Sequence, residues 1–237
     1  MDPEALPWRR EITTISFDVD GTLVDFDAAM RASLAWVLEE IQRVVPGAPG
    51  WLTVPALVEI RELVAAEHPG ARHEHVRRLG FARALEMIGY PDPDLAARLS
   101  NGYLRRRHTL MRPLPGAREA LTTLGRRFSM GVISNGNSDP RTAGLDFPWR
   151  FLVYSEDHGI CKPDPRLFRI ALRQAGCAPH ECLHVGDSLA TDIAGARAAG
   201  LRAAWLCGDD AICQTGPAPD VTIRCLTDLV DLLPGDA

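Results

Sequence analysis

From residue 116 onward the chain alternates short β-branched or apolar runs with segments whose apolar residues recur at helical spacing, a grammar that few folds accept. In order, residues 117–126 predict a helix, 129–134 and 151–154 strands, 166–175 a helix, 182–185 a strand, 191–199 a helix and 202–206 a strand. Strands that alternate with helices need crossover connections, which makes the sheet parallel and puts helices on its faces. An apolar segment at 221–223 and a helix at 227–233 finish this part. An earlier run, residues 12–17, reads as a buried strand, because its β-branched and aromatic residues stop abruptly at Asp18.

Between that strand and the PLPG turn at 113–116 the periodicity is helical throughout. Met30, Leu34, Val37, Leu38, Ile41 and Val45 mark a helix over 28–45 that ends in PGAPG at 46–50. Three more helices are expected: 55–67 with Thr53 as cap, 75–88 closed by Gly89, and 95–110 preceded by Asp94. Trp36, Trp51 and Phe81 are expected to pack among them. The fold class is therefore α/β, with a Rossmann-like core of parallel sheet flanked by helices and an inserted all-helical domain. The core is assigned to 1–24 and 113–237, and the helical domain to 25–112.

Composition narrows the function. Hydrophobic residues make up 46% and charged residues 24% of 237, values typical of a globular protein with a sizeable core. With a net charge of -5 and scattered Lys and Arg, no nucleic-acid surface is expected. The run Arg105, Arg106, Arg107, His108 reads as a solvated helix face. Cys161, Cys177, Cys182, Cys207, Cys213 and Cys225 form no CxxC pair or regular framework, so free buried thiols are expected. His68, His73 and His75 with Glu67 and Glu74 lack the HExxH register and are interrupted by Pro69 and Gly70, which reads as a solvated loop. The N-terminal residues lack the pattern of a signal peptide, and no apolar stretch is long enough to span a bilayer. A cytoplasmic protein with no membrane partner is expected.

In an open parallel sheet ligands bind beyond the carboxyl ends of the strands, so what each strand delivers there decides the chemistry. Strand 12–17 ends in DVDGT, from Asp18 to Thr22. The 129–134 strand ends in SNGN, with Ser134, Asn135 and Gly136; a later loop, CKPDP, carries Lys162; the 182–185 strand ends in GDSLATD, from Gly186 to Asp192. Singly, each has an ordinary reading as turn, loop, surface lysine or helix cap, the last with Ser188 as N-cap and Asp192 in the first turn. Together, in this order, they point to one site. Asp18, Asp20, Asp187 and Asp192 in one cleft cannot all stay ionised beside a single lysine unless a further cation compensates. A hard divalent ion with oxygen ligands fits: magnesium rather than zinc, since no His or Cys cluster competes.

With these motifs the chain resembles the haloacid dehalogenase superfamily, specifically its phosphatase branches with a helical cap inserted after the first motif. The resemblance covers residues 12 to about 206. It implies Asp18 as nucleophile and Asp20 as general acid and base. Ser134, Asn135, Gly136 and Lys162 become the phosphate-binding set, with Lys162 as cationic clamp. Asp187 and Asp192 become the acidic pair at Mg2+, completed by Asp18 and the backbone carbonyl of Asp20. The implied activity is magnesium-dependent hydrolysis of a small-molecule phosphate monoester, such as a sugar phosphate or nucleotide, through an aspartyl-phosphate. The implied partner is a small phosphorylated metabolite, and the chain is expected as monomer or homodimer.

Relatives within the same superfamily supply the alternatives. Dehalogenases attack carbon and typically lack an acid two residues after the nucleophile, where this chain has Asp20. Phosphomutases tend to carry an acid immediately before the aspartate of the last motif, where Gly186 stands. A phosphonate-cleaving enzyme needs a lysine in the cap, and residues 25–112 contain none. A catalytically silent phosphate-binding protein is the non-enzymatic reading.

Overall fold

Thr14–Phe17 forms the first strand, β1, and all four of its residues are buried, as expected for a strand covered on both faces. The computed structural model of the chain describes residues 6–208 and 216–233, so Cys213 lies outside the described residues. Five more strands follow: β2 (Ser129–Ser134), β3 (Phe151–Tyr154), β4 (Cys182–Gly186), β5 (Arg202–Leu206) and β6 (Val221–Ile223). They form one parallel sheet in the order β3-β2-β1-β4-β5-β6. The chain steps outward from β1 through β2 to β3, then crosses back to lay β4 on the other side of β1. That reversal is a topological switch point, where connections diverge and leave a crevice at the carboxyl ends.

The chain divides into two compact units, Met1–Asp25 with Pro113–Ala237, and Phe26–Arg112. In the first, Ala117–Leu124 (α5), Ser155–His158 (α6), Pro165–Ala175 (α7), Ala194–Ala198 (α8) and Asp228–Leu232 (α9) accompany the sheet. Leu167, Phe168, Ala171 and Leu172 form one buried stripe of α7 and join a core with Ile133, Val153 and Ile193. The helix expected over 191–199 begins differently. Leu189–Ile193 is a widened turn in which Ile193 N–H reaches Ser188 O, and α8 follows it. Asp192 sits in that turn, and Ser188 Oγ caps it by accepting from Thr191 N–H at 3.2 Å.

The second unit holds four helices: α1 (Phe26–Val44), α2 (Val54–Glu67), α3 (His73–Met87) and α4 (Pro93–Leu110). Val37, Ile41, Ile60, Phe81, Leu85, Leu99 and Tyr103 pack together as its core. Thr53 caps α2 as expected. Helix α4, however, is capped by Asp92, whose Oδ1 accepts from Leu95 N–H at 2.8 Å, and not by Asp94. Pro93 explains the shift, because its fixed φ suits the first helical position and leaves the preceding Asp as cap.

Four further expectations need correction. Arg105 and Arg106 are exposed, but Arg107 is only 4% exposed, its guanidinium 5.3 Å from the Phe26 ring and 5.9 Å from that of Tyr103. It follows Tyr103 by four residues and so shares its buried stripe. Trp51 is 46% exposed and does not pack in the core, while Trp36 lies against Gly102 and Phe81 is buried. His73 lies in α3 with His75, so that helix begins two residues before the expected 75. Among the described cysteines only Cys182 is buried; Cys161 is exposed and Cys177, Cys207 and Cys225 are half-buried. No helix among the described residues is long and apolar enough to cross a membrane.

Candidate active site

The site begins with the register of β1 against β4. Phe17 pairs with Val185 and Asp18 N–H donates to Val185 O at 2.9 Å, so the two strands end together and release Asp18 and Asp187 side by side. The chain then folds sharply. The N–H groups of Thr22, Leu23 and Val24 all point to Val19 O, and Gly21 takes φ +85°. A Cβ on Gly21 would lie 2.6 Å from Asp187 Oδ2, so glycine serves here both for the turn and for the close approach of the carboxylate.

Ligand oxygens of Asp18, Asp187 and Asp192 lie within 4.8 Å of one another. Into this group the loop between α6 and α7 inserts Lys162, 4% exposed. Its ammonium donates to Asp18 Oδ1 and Asp192 Oδ1, each at 2.5 Å, and to Ile133 O at 2.9 Å. All three N–H bonds of the ammonium are thereby committed. Asn135 holds the lysine in place: its Oδ1 accepts from Lys162 N–H at 2.6 Å and its Nδ2 donates to Lys162 O at 3.0 Å. Its side chain is thus occupied with the lysine backbone. Ser134, at the end of β2, accepts through Oγ from Gly136 N–H at 3.0 Å, which leaves its hydroxyl hydrogen to donate elsewhere.

One ammonium does not balance three buried carboxylates. Burial pushes the Asp18 carboxyl up to about 7, the charge of Asp192 adding to the rise while Lys162 opposes it. Burial, with Asp192 again, lifts Asp187 to about 6. Asp192 is also penalised by burial, but Lys162 and His184 outweigh that and hold it well below the ordinary carboxylate range. Burial likewise works against the Lys162 ammonium, yet the two carboxylates more than compensate and raise it. Lys162 stands 2.5 Å from both Asp18 and Asp192 and can offset only one of the charges that the three acids would carry. A donor set of closely spaced carboxylate oxygens short of positive charge fits a hard divalent cation. Asp20 lies outside this three-acid group; its carboxylate rests against Gly136.

A family model for haloacid dehalogenase-like hydrolases matches residues 12–200. The chain belongs to that family. The phosphoserine phosphatase of Thermus thermophilus is 38% identical over 133 residues, 53% of this chain and 52% of that enzyme, so the chain spans about half of this relative's length in the match. The glyceraldehyde 3-phosphate phosphatase of Pyrococcus furiosus is 28% identical over 202 residues, covering 83% of this chain and 81% of that enzyme. The crystal structure of a 2-haloacid dehalogenase from Pseudomonas syringae pv. Tomato superposes with TM-score 0.78 at 36% identity, over 94% of this chain and 98% of that one. Membership of the hydrolase family thus embraces relatives named for phosphate-ester and for carbon–halogen chemistry.

Three features of this family member escaped the sequence reading. Ser16 and His184 are buried polar residues beneath the site, hydrogen-bonded to each other at 2.9 Å, with His184 reaching Asp192 at 3.2 Å. Their signal was a Ser and a His inside two strand-forming runs. The third is that Lys162 is the only lysine among 26 Lys and Arg residues.

Gly136 yields a local prediction. A Cβ there would collide with Asp20 Oδ2 and lie 3.5 Å from Ser134 Oγ. The loop at 136 is partly exposed, so Gly136→Ala is expected to leave the melting temperature nearly unchanged while turnover falls by about tenfold or more through displaced carboxylate geometry. Steady-state kinetics beside a thermal melt decides it; natural turnover in Gly136→Ala would contradict the importance of that contact.

Proposed function

We propose that the chain is a magnesium-dependent phosphatase acting on a small-molecule phosphate monoester through an aspartyl-phosphate on Asp18. The observation that carries this reading is the three-acid group around one saturated ammonium, which leaves the group in need of added positive charge. When bound, magnesium would supply that charge and an electrophilic partner for phosphate oxygens, held by Asp18, Asp187 and the neighbouring oxygens of the site. Asp18 attacks phosphorus and the ester P–O bond breaks; Asp20 gives its proton to the departing oxygen. Asp20 then accepts a proton from water as that water attacks the aspartyl-phosphate and frees Asp18. The Ser134 hydroxyl and backbone N–H groups of the 134–136 turn orient the phosphoryl group, and Lys162 sets the charge and position of Asp18.

The likeness to phosphatases at 38% and 28% identity supports this choice. The likeness to a 2-haloacid dehalogenase gives the competing reading, in which Asp18 attacks carbon and no proton donor for the leaving group is needed. Asp20 favours the first.

The test is a panel of phosphate monoesters and 2-haloacids, each with magnesium or with a chelator, read as inorganic phosphate and as halide. Phosphate release that depends on magnesium is the expected result. Halide release alone, indifferent to chelation, would replace this reading by the dehalogenase one. In the same panel Asp20→Asn is expected to slow phosphate release most for poor leaving groups and least for good ones, since these need less proton donation. Uniform loss over all esters would remove Asp20 from the acid role.

A further inference from the structure

We infer that Ser16 and His184 are positioning residues for Asp192, joined to it in a hydrogen-bond chain beneath the site. His184 is fully buried in β4 and its ring bridges two partners, with Nδ1 2.9 Å from Ser16 Oγ and Nε2 3.2 Å from Asp192 Oδ1. Parallel pairing sets Ser16 opposite His184 on adjacent strands. The Phe168 ring meets the imidazole edge-on at 5.0 Å between centroids, packing the ring in place.

The hydrogen at the Asp192 end follows from what each group can donate. Asp192 Oδ1 accepts from Lys162 at 2.5 Å and Oδ2 accepts from Ser188 N–H at 3.1 Å, an arrangement that suits an ionised carboxylate, which has no proton to give. Nε2 of His184 must therefore carry the hydrogen it shares with Asp192. Nδ1 and Ser16 Oγ share the second hydrogen bond of the ring. Ser16 Oγ also lies 3.7 Å from the Cys182 sulfur on its other side.

This chain gives Asp192 its third donor. A carboxylate held from three directions cannot rotate, and Lys162, which Asp192 shares with Asp18, is held with it. Such outer partners set ligand orientation in metal sites. The catalytic consequence rests on the phosphatase reading above, whereas the chain and its Nε2 hydrogen do not.

Histidine-selective 15N NMR of the metal-free natural protein tests the Nε2 hydrogen, the His184 signals being assigned by their loss in His184→Gln. A hydrogen on Nε2 is expected; an Nε2 without one overturns the inference. Calorimetric titration with magnesium tests the positioning. Ser16→Ala and His184→Phe are expected to weaken binding by about tenfold, and His184→Gln, whose amide nitrogen stands in for Nε2, to recover most of it. Magnesium binding as tight in Ser16→Ala as in the natural protein also overturns it. Failure of the natural protein to hydrolyse any phosphate ester would sink the phosphatase reading alone, and the Nε2 hydrogen still decides this one.

Discussion

Asp18→Asn is expected to abolish phosphate release while making the metal-free protein harder to melt at pH 8. The first effect follows from the loss of the nucleophile, since a carboxamide cannot form the acyl phosphate; a fall of about a thousandfold or more is expected in single-turnover assays. The second follows from charge. Burial and the neighbouring Asp192 raise the Asp18 carboxyl from 3.8 to about 7. Between those values the folded protein holds a proton that the unfolded chain has lost, so the natural protein loses stability as pH rises through that window. Asparagine carries no such burden, and its Oδ1 can still accept from Lys162. The melting temperatures of variant and natural protein should therefore lie close together near pH 4 and diverge toward pH 8, with the variant higher. A variant that turns over like the natural protein would dismiss Asp18 as nucleophile. One that melts lower at pH 8 would dismiss the repulsion.

Opposed effects on activity and stability at one residue are the mark of a site assembled against its own electrostatics. The assembly depends on where the strands end. Asp18 and Asp187 meet because β1 and β4 are neighbours in register, and β4 lies beside β1 only because the chain crosses back after β3. Local sequence showed that β-branched runs terminate in polar residues. It did not show which runs lie side by side, because pairing between residues about 170 positions apart leaves no local periodicity to read.

The same boundary separates the other successes from the misses. Strands β2, β3 and β5 were legible to the residue because apolar runs and turn residues are local signals. Asp94 precedes the first apolar residue of the helix at Leu95, but Pro93 opens the helix better than it precedes one, and the cap falls to Asp92. Arg107 was read with its charged neighbours, although its spacing from Tyr103 placed it inward. Asn135 was legible as a site residue but not in its part, since its amide grips the Lys162 backbone 27 positions along the chain. Ser16 and His184 carry no local signal of their part, because their meaning lies in facing each other on neighbouring strands.

Lys162 stands out by composition as well as by its motif, and it makes the sharpest test of charge against shape. In a chain whose other cationic side chains of this kind are all arginine, the single lysine stands where three acceptors surround one atom. A compact ammonium meets that geometry; a planar guanidinium, with its donors spread along a fork, does not. Lys162→Met leaves Asp18 and Asp192 buried without their cation, and removal of one partner from such a group destabilises by about 3–5 kcal/mol. The sign of its pH dependence is fixed: without the ammonium both carboxyls rise further, the folded state binds more protons than the unfolded, and the loss is greater at pH 8 than at pH 5. Denaturant melts at the two pH values should show this, with turnover absent. Lys162→Arg keeps the charge and is expected to recover part of the stability at pH 8 while turnover stays about a hundredfold down, because the guanidinium cannot place Asp18 and Asp192 together. Full activity in Lys162→Arg would mean that positive charge suffices and that the shape of the ammonium has no part in holding the nucleophile.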